Sequence, residues 1–180
     1  MGKRSQFQRV DKDFYPTPIQ GFEPLIPHLP ASFNFIEPCA GNGILIDHIT
    51  SMTTGNCIAA YDLEPRRDDI IQADIMDMAV SYSVVPDYFI TNPPWSRHLL
   101  HPIIEILSDI APTWLLFDAD WAHTKQSARF SPRLRKIVSV GRLKWIPNSK
   151  MTGKDNCAWY LFDKPSPSPS PTIFYGRNND

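Results

Sequence analysis

Phe33-Asn34-Phe35-Ile36-Glu37-Pro38-Cys39-Ala40-Gly41-Asn42-Gly43 is the stretch that decides the fold. A short apolar run ends in an acid and a proline, then passes through two glycines into Ile44, Leu45, His48 and Ile49, which have helical spacing. Strand, glycine turn and helix in that order form the opening unit of a parallel α/β sheet. Such a turn lets backbone approach a ligand at the carboxyl end of the strand.

Working outward, similar runs recur at Cys57–Asp62, Tyr88–Asn92, Trp114–Asp118, Lys136–Val140 and Ala158–Phe162, each ending near Gly, Pro, Asn or Asp. Between the third and fourth of the six runs, Leu99, Leu100, Ile103, Ile104, Leu107 and Ile110 predict a helix, with Pro102 expected in its first turn. Alternating strands and helices predict a mostly parallel sheet. The last two runs share only a polar connection, which predicts an antiparallel hairpin at the sheet edge. After Lys164 the chain reads Pro165-Ser166-Pro167-Ser168-Pro169-Ser170-Pro171, an extended spacer by composition. Beyond it, Thr172 to Arg177 is apolar and aromatic enough to dock back, and Asn178 to Asp180 are expected to fray. The expected organisation is one domain over residues 1–164, with 1–12 a basic arm and 165–180 a spacer and tail.

A chain of 180 residues with 42% hydrophobic content can bury a core without crosslinks. Cys39, Cys57 and Cys157 are widely spaced and form no C-x-x-C pair, so reduced thiols are expected. His28, His48, His98, His101 and His123 are scattered without a carboxylate cluster, so no metal site is expected. No Ser or Cys stands in a nucleophile–base motif. No apolar run approaches a membrane span, and no secretory leader pattern opens the chain; a cytoplasmic protein without membrane contact is expected. The formal net charge of −1 conceals a strong asymmetry. Between Trp121 and Lys154 there is no Asp or Glu, while half of the 18 basic residues fall there. That stretch is the expected nucleic-acid surface, with Trp121, Lys125, Arg129, Arg133, Lys144, Lys150 and Lys154 as its candidates. Aromatic Trp121, His123 and Trp145 interleave with the charge.

Two acids follow at successive strand ends. Asp62 lies 19 residues beyond Gly43, the spacing at which a carboxylate reaches a ribose diol. Asp74 follows the next candidate strand end, and Leu63 and Ile75 adjoin the two acids. A nucleoside-bearing cofactor suits this rim. The sharpest motif is Asn92-Pro93-Pro94-Trp95 after an apolar strand. Two prolines fix an extended loop whose carbonyls point outward. The Asn92 side-chain oxygen and the Pro93 carbonyl can accept the two hydrogens of an exocyclic amine. That redirects its delocalised lone pair toward a sulfonium methyl. Trp95 supplies a flat face for an extruded base. Asn92, Pro93, Pro94 and Trp95 are therefore the candidate catalytic residues.

Over roughly Asp13 to Lys164 the chain resembles the amino-methyltransferases that act on adenine N6 and cytosine N4 of DNA, and within them the small adenine-N6 type carried by bacteriophages. The resemblance implies a seven-stranded Rossmann-like sheet with S-adenosylmethionine over its carboxyl edge. It implies cofactor contacts from Tyr15 and Thr17 of the Thr-Pro segment and from the loop Glu37, Pro38, Cys39, Ala40, Gly41 and Gly43. Asp62 with Leu63 would hold the ribose, Asp74 with Ile75 would face the adenine, and Asn92 would border both substrates. Larger members carry a separate recognition domain, for which this chain has no room, so short loops or a partner would recognise the target. The expected activity is site-specific DNA adenine-N6 methylation. Adenine N6 in RNA, cytosine N4 in DNA, a protein-glutamine target and a non-catalytic, nucleic-acid-binding or inhibitory protein remain open, as does an oligomer.

Overall fold

The computed structural model describes residues 15–77, 84–146, 152–168 and 170–177. Eight strands form one sheet: β1 Phe33–Glu37, β2 Gly55–Asp62, β3 Ile71–Gln72, β4 Tyr88–Thr91, β5 Thr113–Asp118, β6 Leu134–Arg142, β7 Asn156–Phe162 and β8 Ile173–Tyr175. Three helices accompany them: α1 Ile19–Phe22, α2 Ile44–Met52 and α3 Arg97–Ser108. Short 3₁₀ turns occupy Glu23–His28, Ala119–His123 and Ser127–Phe130. The strand order is β3-β2-β1-β4-β5-β7-β6-β8. All pairings are parallel except those of β7, which runs antiparallel to both β5 and β6.

Alternation along the strands divides the core between two faces. Phe35, Ile90, Trp114 and Leu116 point to one face, where Phe22, Leu25, Leu45 and Ile49 cover them. Their neighbours Ile36, Phe89, Leu115 and Phe117 point to the other, beneath Leu100, Ile103, Ile104 and Leu107 of α3. Strands buried on both faces must read as continuous apolar runs, which is why the sequence shows runs and not alternation. The 119–130 segment completes the second face: Trp121 and Phe130 pack with Phe117, Tyr160 and Phe162. On the first face the Trp159 indole N–H donates to the Gly21 carbonyl at 2.7 Å, fastening the amino-terminal segment across the sheet.

Three features differ from the sequence reading. Pro102 lies inside α3, at its sixth residue, because the helix starts at Arg97. The His98 carbonyl therefore has no main-chain N–H four residues on. The β6–β7 hairpin is present, but β7 inserts between β5 and β6 and does not sit at the edge. The edge belongs to β8, an eighth strand beside the expected seven, so the sheet extends past residue 164. Thr172 donates its hydroxyl to the Leu134 carbonyl at 3.1 Å, and Tyr175 packs on His28 with ring centroids 4.4 Å apart.

Registers place the loops. Leu134 pairs with Phe162, and Phe162 pairs with Thr113, the first residue of β5. Arg142 pairs with Asn156, beside the Cys157–Asp118 pair at the end of β5. The basic stretch is thus split: it starts β6 at the amino edge of the sheet and leaves it at the carboxyl edge.

Candidate active site

The carboxyl ends of β1 and β4 are adjacent, and the chain order reverses between them, so a crevice opens there. Its floor is the glycine turn. Gly41 and Gly43 have φ of 55° and 74°, a region that side chains with a Cβ rarely enter. Gly43 caps α2, and its N–H donates to the Ala40 carbonyl at 2.7 Å, while the Ala40 N–H donates to Tyr61 at 2.8 Å. A Cβ on Gly43 would lie 2.3 Å from the Arg67 guanidinium carbon.

Arg67 is a residue the sequence reading missed. Its guanidinium donates to the Gly43 carbonyl at 3.3 Å, to Asp47 of α2 at 2.8 Å, and to Asp69 at 2.6 and 3.0 Å. The Arg66 N–H donates to the Gly41 carbonyl at 2.9 Å. The helix-free connection after β2 thus folds back as a brace over the glycine turn. The available signal was the run Arg66-Arg67-Asp68-Asp69, whose balanced charge also suits a solvated loop.

Asp62 ends β2 and joins the same construction. One carboxylate oxygen accepts the Gly41 N–H at 2.7 Å, the other the Glu64 N–H at 2.8 Å. Burial raises its pKa, and the Gly41 N–H and the charge of Arg66 work against that rise. Each oxygen retains a second lone pair for a hydroxyl donor. Asp74 is exposed after β3 and accepts the Met76 N–H at 2.9 Å. Of the two apolar neighbours, Leu63 is 59% exposed, whereas Ile75 is packed into the core of the second face. Leu63 alone of the pair offers a free apolar surface.

Beneath the turn, Glu37 is 2% exposed and its Oε2 has no hydrogen-bond partner. Burial pushes its pKa well above the ordinary carboxylate value, the charge of Asp62 adds to the rise, and Arg67 opposes it. Pro38 and Ala40 are also buried. Cys39 is a thiol whose pKa is driven upward by burial and by the Asp62 and Glu37 carboxylates, so it stays protonated. Its carbonyl receives the Thr91 hydroxyl at 3.5 Å, tying the turn to β4.

At the end of β4, both ends of the Asn92 amide are engaged. Its Nδ2 donates to the Tyr15 carbonyl at 3.2 Å and its Oδ1 accepts the Trp95 indole N–H at 3.1 Å. Pro93 is buried and Pro94 half-buried. Trp145, from the carboxyl-edge loop after β6, packs edge-on against Trp95 at 5.7 Å and against Tyr15 at 6.2 Å. Thr17 is buried close by, in contact range of Gly21. Tyr15, Asn92, Trp95 and Trp145 therefore form one aromatic-lined group at the crevice.

The basic candidates separate. Lys144 and Lys154 are exposed around the carboxyl-edge loop, and Lys125 and Arg129 are exposed on the 119–130 segment. Lys150 lies outside the described residues. Arg133 sits at the amino edge, paired with Asp109 at 2.6 Å and Ser108 at 2.9 Å, so it locks α3 to the sheet and faces away from the crevice. Trp121 is a core residue, 3% exposed, and its N–H is already donated to His101. Neither Arg133 nor Trp121 belongs to a base- or phosphate-contacting surface. Among the described residues, no cluster of His, Cys, Asp and Glu could hold a metal ion, and no helix is long and apolar enough to cross a membrane.

No protein-family model matches the chain, and no curated protein matches it significantly in sequence. Solved structures do match. A Listeria monocytogenes protein described as a class I S-adenosylmethionine-dependent methyltransferase superposes with TM-score 0.58 at 11% identity, over 89% of this chain and 65% of its own. A chain from a type I R-M system gives 0.56 at 14% identity, over 96% of this chain and 46% of its own. A Plasmodium falciparum dimethyladenosine transferase gives 0.54 at 11% identity, over 85% and 63% respectively. This chain thus spans under two thirds of each of these proteins. Together with the strand order and the antiparallel β7, the likenesses show that the chain has the Rossmann-like class I methyltransferase fold.

Proposed function

We propose that this protein is an S-adenosylmethionine-dependent methyltransferase acting on the N6 amine of adenine in DNA. The observation that carries the reading is the Asn92 amide, held at both ends at the carboxyl tip of β4 and followed by Pro93-Pro94-Trp95, beside a glycine turn at the tip of β1.

The residues present suit the cofactor. Gly41 carries no Cβ, so the turn admits close approach of the methionine portion there, Asp62 has lone pairs for the ribose hydroxyls, and Leu63 offers an apolar face to the adenine. The unpartnered Oε2 of Glu37 lies under the turn as a polar group ready for a donor. When bound, S-adenosylmethionine supplies an electrophilic methyl carried on a sulfonium. The chain's own contribution is positional. Asn92 Oδ1 and the Pro93 carbonyl accept the two amine hydrogens, so that the nitrogen lone pair leaves the ring plane. Oδ1 keeps a second lone pair for the amine beside the Trp95 N–H, so the indole stays anchored at the acceptor, where its face can stack on the incoming base. No general base is needed, since the proton released after transfer can pass along the Asn92 and Pro93 acceptors to water.

The neighbour named as a dimethyladenosine transferase supports an adenine target, and the one from a type I R-M system supports a nucleic-acid substrate. Lys144 and Lys154, beside the crevice, support a polyanionic substrate. The deciding experiment incubates the protein with labelled S-adenosylmethionine and, in parallel, unmethylated genomic DNA or total RNA, followed by nucleoside mass spectrometry. N6-methyldeoxyadenosine is the expected product. N6-methyladenosine from RNA alone would change the polymer, N4-methylcytosine would change the base, and no methylated nucleoside would refute the reading.

A further inference from the structure

On the second face of the sheet, an open cavity of about 330 Å³ lies between the first turns of α3 and the 119–130 segment, lined by Arg97, His98, His101, Gln126 and Arg129. All five side chains offer N–H donors, and no carboxylate is among them. Arg97 follows Trp95 by two residues, so the cavity begins where the catalytic loop ends.

The donor character of His101 is fixed by its neighbour. The Trp121 indole, which can only donate, gives its N–H to His101 Nε2 at 3.1 Å. The ring proton must then reside on Nδ1, leaving a neutral imidazole with one N–H. Burial and the charges of Arg129 and Arg97 favour the same neutral form, against the opposing charge of Glu105. Arg129 stacks its guanidinium on Phe130 at 4.6 Å, which orients the fork while leaving donors free. Its acidic neighbour is Glu105, at 3.6 Å and not among the lining residues, a looser contact than the 2.6 Å pair that immobilises Arg133. Two guanidiniums, two imidazoles and an amide around one open space select an anion with several acceptor oxygens.

We propose that this cavity receives a backbone phosphodiester of the nucleic acid strand, next to the base extruded toward Asn92. The assignment rests on the nucleic-acid reading of the active site and adds the place where the strand is gripped. The volume admits a phosphate together with part of its sugar. Gripping the backbone two residues from the catalytic loop would fix the distance over which the base swings out.

The test compares wild type with the double variant Arg97→Gln/Arg129→Gln, using an oligonucleotide with a single adenine. The dependence of log affinity on log salt should flatten by about one unit, with affinity about tenfold weaker at low salt and S-adenosylmethionine binding unchanged. Neutral methylphosphonates flanking the adenine should weaken wild type and leave the double variant unaffected. In ¹⁵N-imidazole spectra, inorganic phosphate should shift His98 and His101 of wild type saturably, and not those of the variant. An unchanged salt slope, or equal sensitivity of both proteins to the methylphosphonates, overturns the assignment. Phosphate shifts with an unchanged slope would make this a site for free phosphate and overturn the strand assignment. If wild type binds no strand, the functional reading falls independently, and absence of phosphate shifts then removes the cavity as an anion site as well.

Discussion

The Trp95 indole N–H donates to Asn92 Oδ1 at 3.1 Å, so the acceptor assigned to the substrate amine is shared with the residue assigned to the substrate base. The two roles are coupled: the indole holds one lone pair of Oδ1, and the amine must approach along the other. Trp95→Phe keeps an aromatic face and removes this contact. Its rate in single turnover should fall by less than about tenfold, whereas Asn92→Ala should lose at least about 100-fold. Cofactor titration should be nearly unaltered in both. An Asn92→Ala protein with most of its activity would remove the proposed role.

Arg67 braces the glycine turn, and the packing makes the brace testable. Gly43→Ala introduces a Cβ into the guanidinium and also holds a side chain at φ 74°, a strain of about 1–2 kcal/mol by itself. In an Arg67→Ala background only the backbone strain remains. Urea unfolding should therefore show Gly43→Ala costing less in that background than in wild type. Arg67→Ala alone should weaken cofactor binding through a loosened turn, and an unaltered isotherm would count against a bracing role.

Glu37 gives a signed pH dependence. Its folded-state pKa is raised well above the ordinary carboxylate value, so between that value and the folded one the native state holds a proton that the unfolded chain has released. Stability therefore falls as pH rises through this window, by up to about 1.4 kcal/mol per pH unit, and levels off above the folded pKa. Glu37→Gln abolishes the titration. The stability advantage of the variant over wild type should grow with pH from about 5 upward, as read from urea midpoints. Affinity for the cofactor should fall in the same variant, since the free Oε2 acceptor is lost.

The basic stretch should divide into structural and binding members. Trp121→Ala removes a core indole and should cost about 3–5 kcal/mol of stability. Arg133→Ala breaks the lock between α3 and the sheet and should also register in unfolding, while the salt slope of DNA binding stays as in wild type. Lys144→Ala and Lys154→Ala should do the reverse, each leaving stability within about 0.5 kcal/mol and flattening the salt slope by about 1. A Lys154→Ala protein with an unchanged slope would remove that lysine from the interface.

Six strands and two principal helices were legible in the sequence because strands buried on both faces are written as apolar runs, and Phe33–Glu37 agrees with β1 residue for residue. The glycine turn and Asn92–Trp95 were legible for a different reason: both occur where a strand ends, and the fold gathers strand ends at one edge. Composition could not show on which edge a charge falls. Arg133 and Arg142 are nine residues apart, and only the β6–β7 register puts them at opposite ends of the sheet. Trp121 resembled a surface aromatic because its neighbours are polar, yet the 3₁₀ turn at Ala119–His123 directs it inward onto Phe117 and Tyr160. Arg67 was hidden because its partners Gly43 and Asp47 are 24 and 20 residues away, with β2 in between.

β8 bears on how the protein is made as well as how it is built. During synthesis the nine residues of β6 emerge and pair with β7 while their outer main-chain groups stay open. Lys136, Ile137 and Val138 gain their outer partners only when Ile173–Tyr175, beyond a proline-rich tether, leaves the ribosome. Until then the nascent sheet presents a strand that another chain can extend. With β8 in place, Lys136–Val138 are covered and the strand beyond them is three residues long, too short to template much.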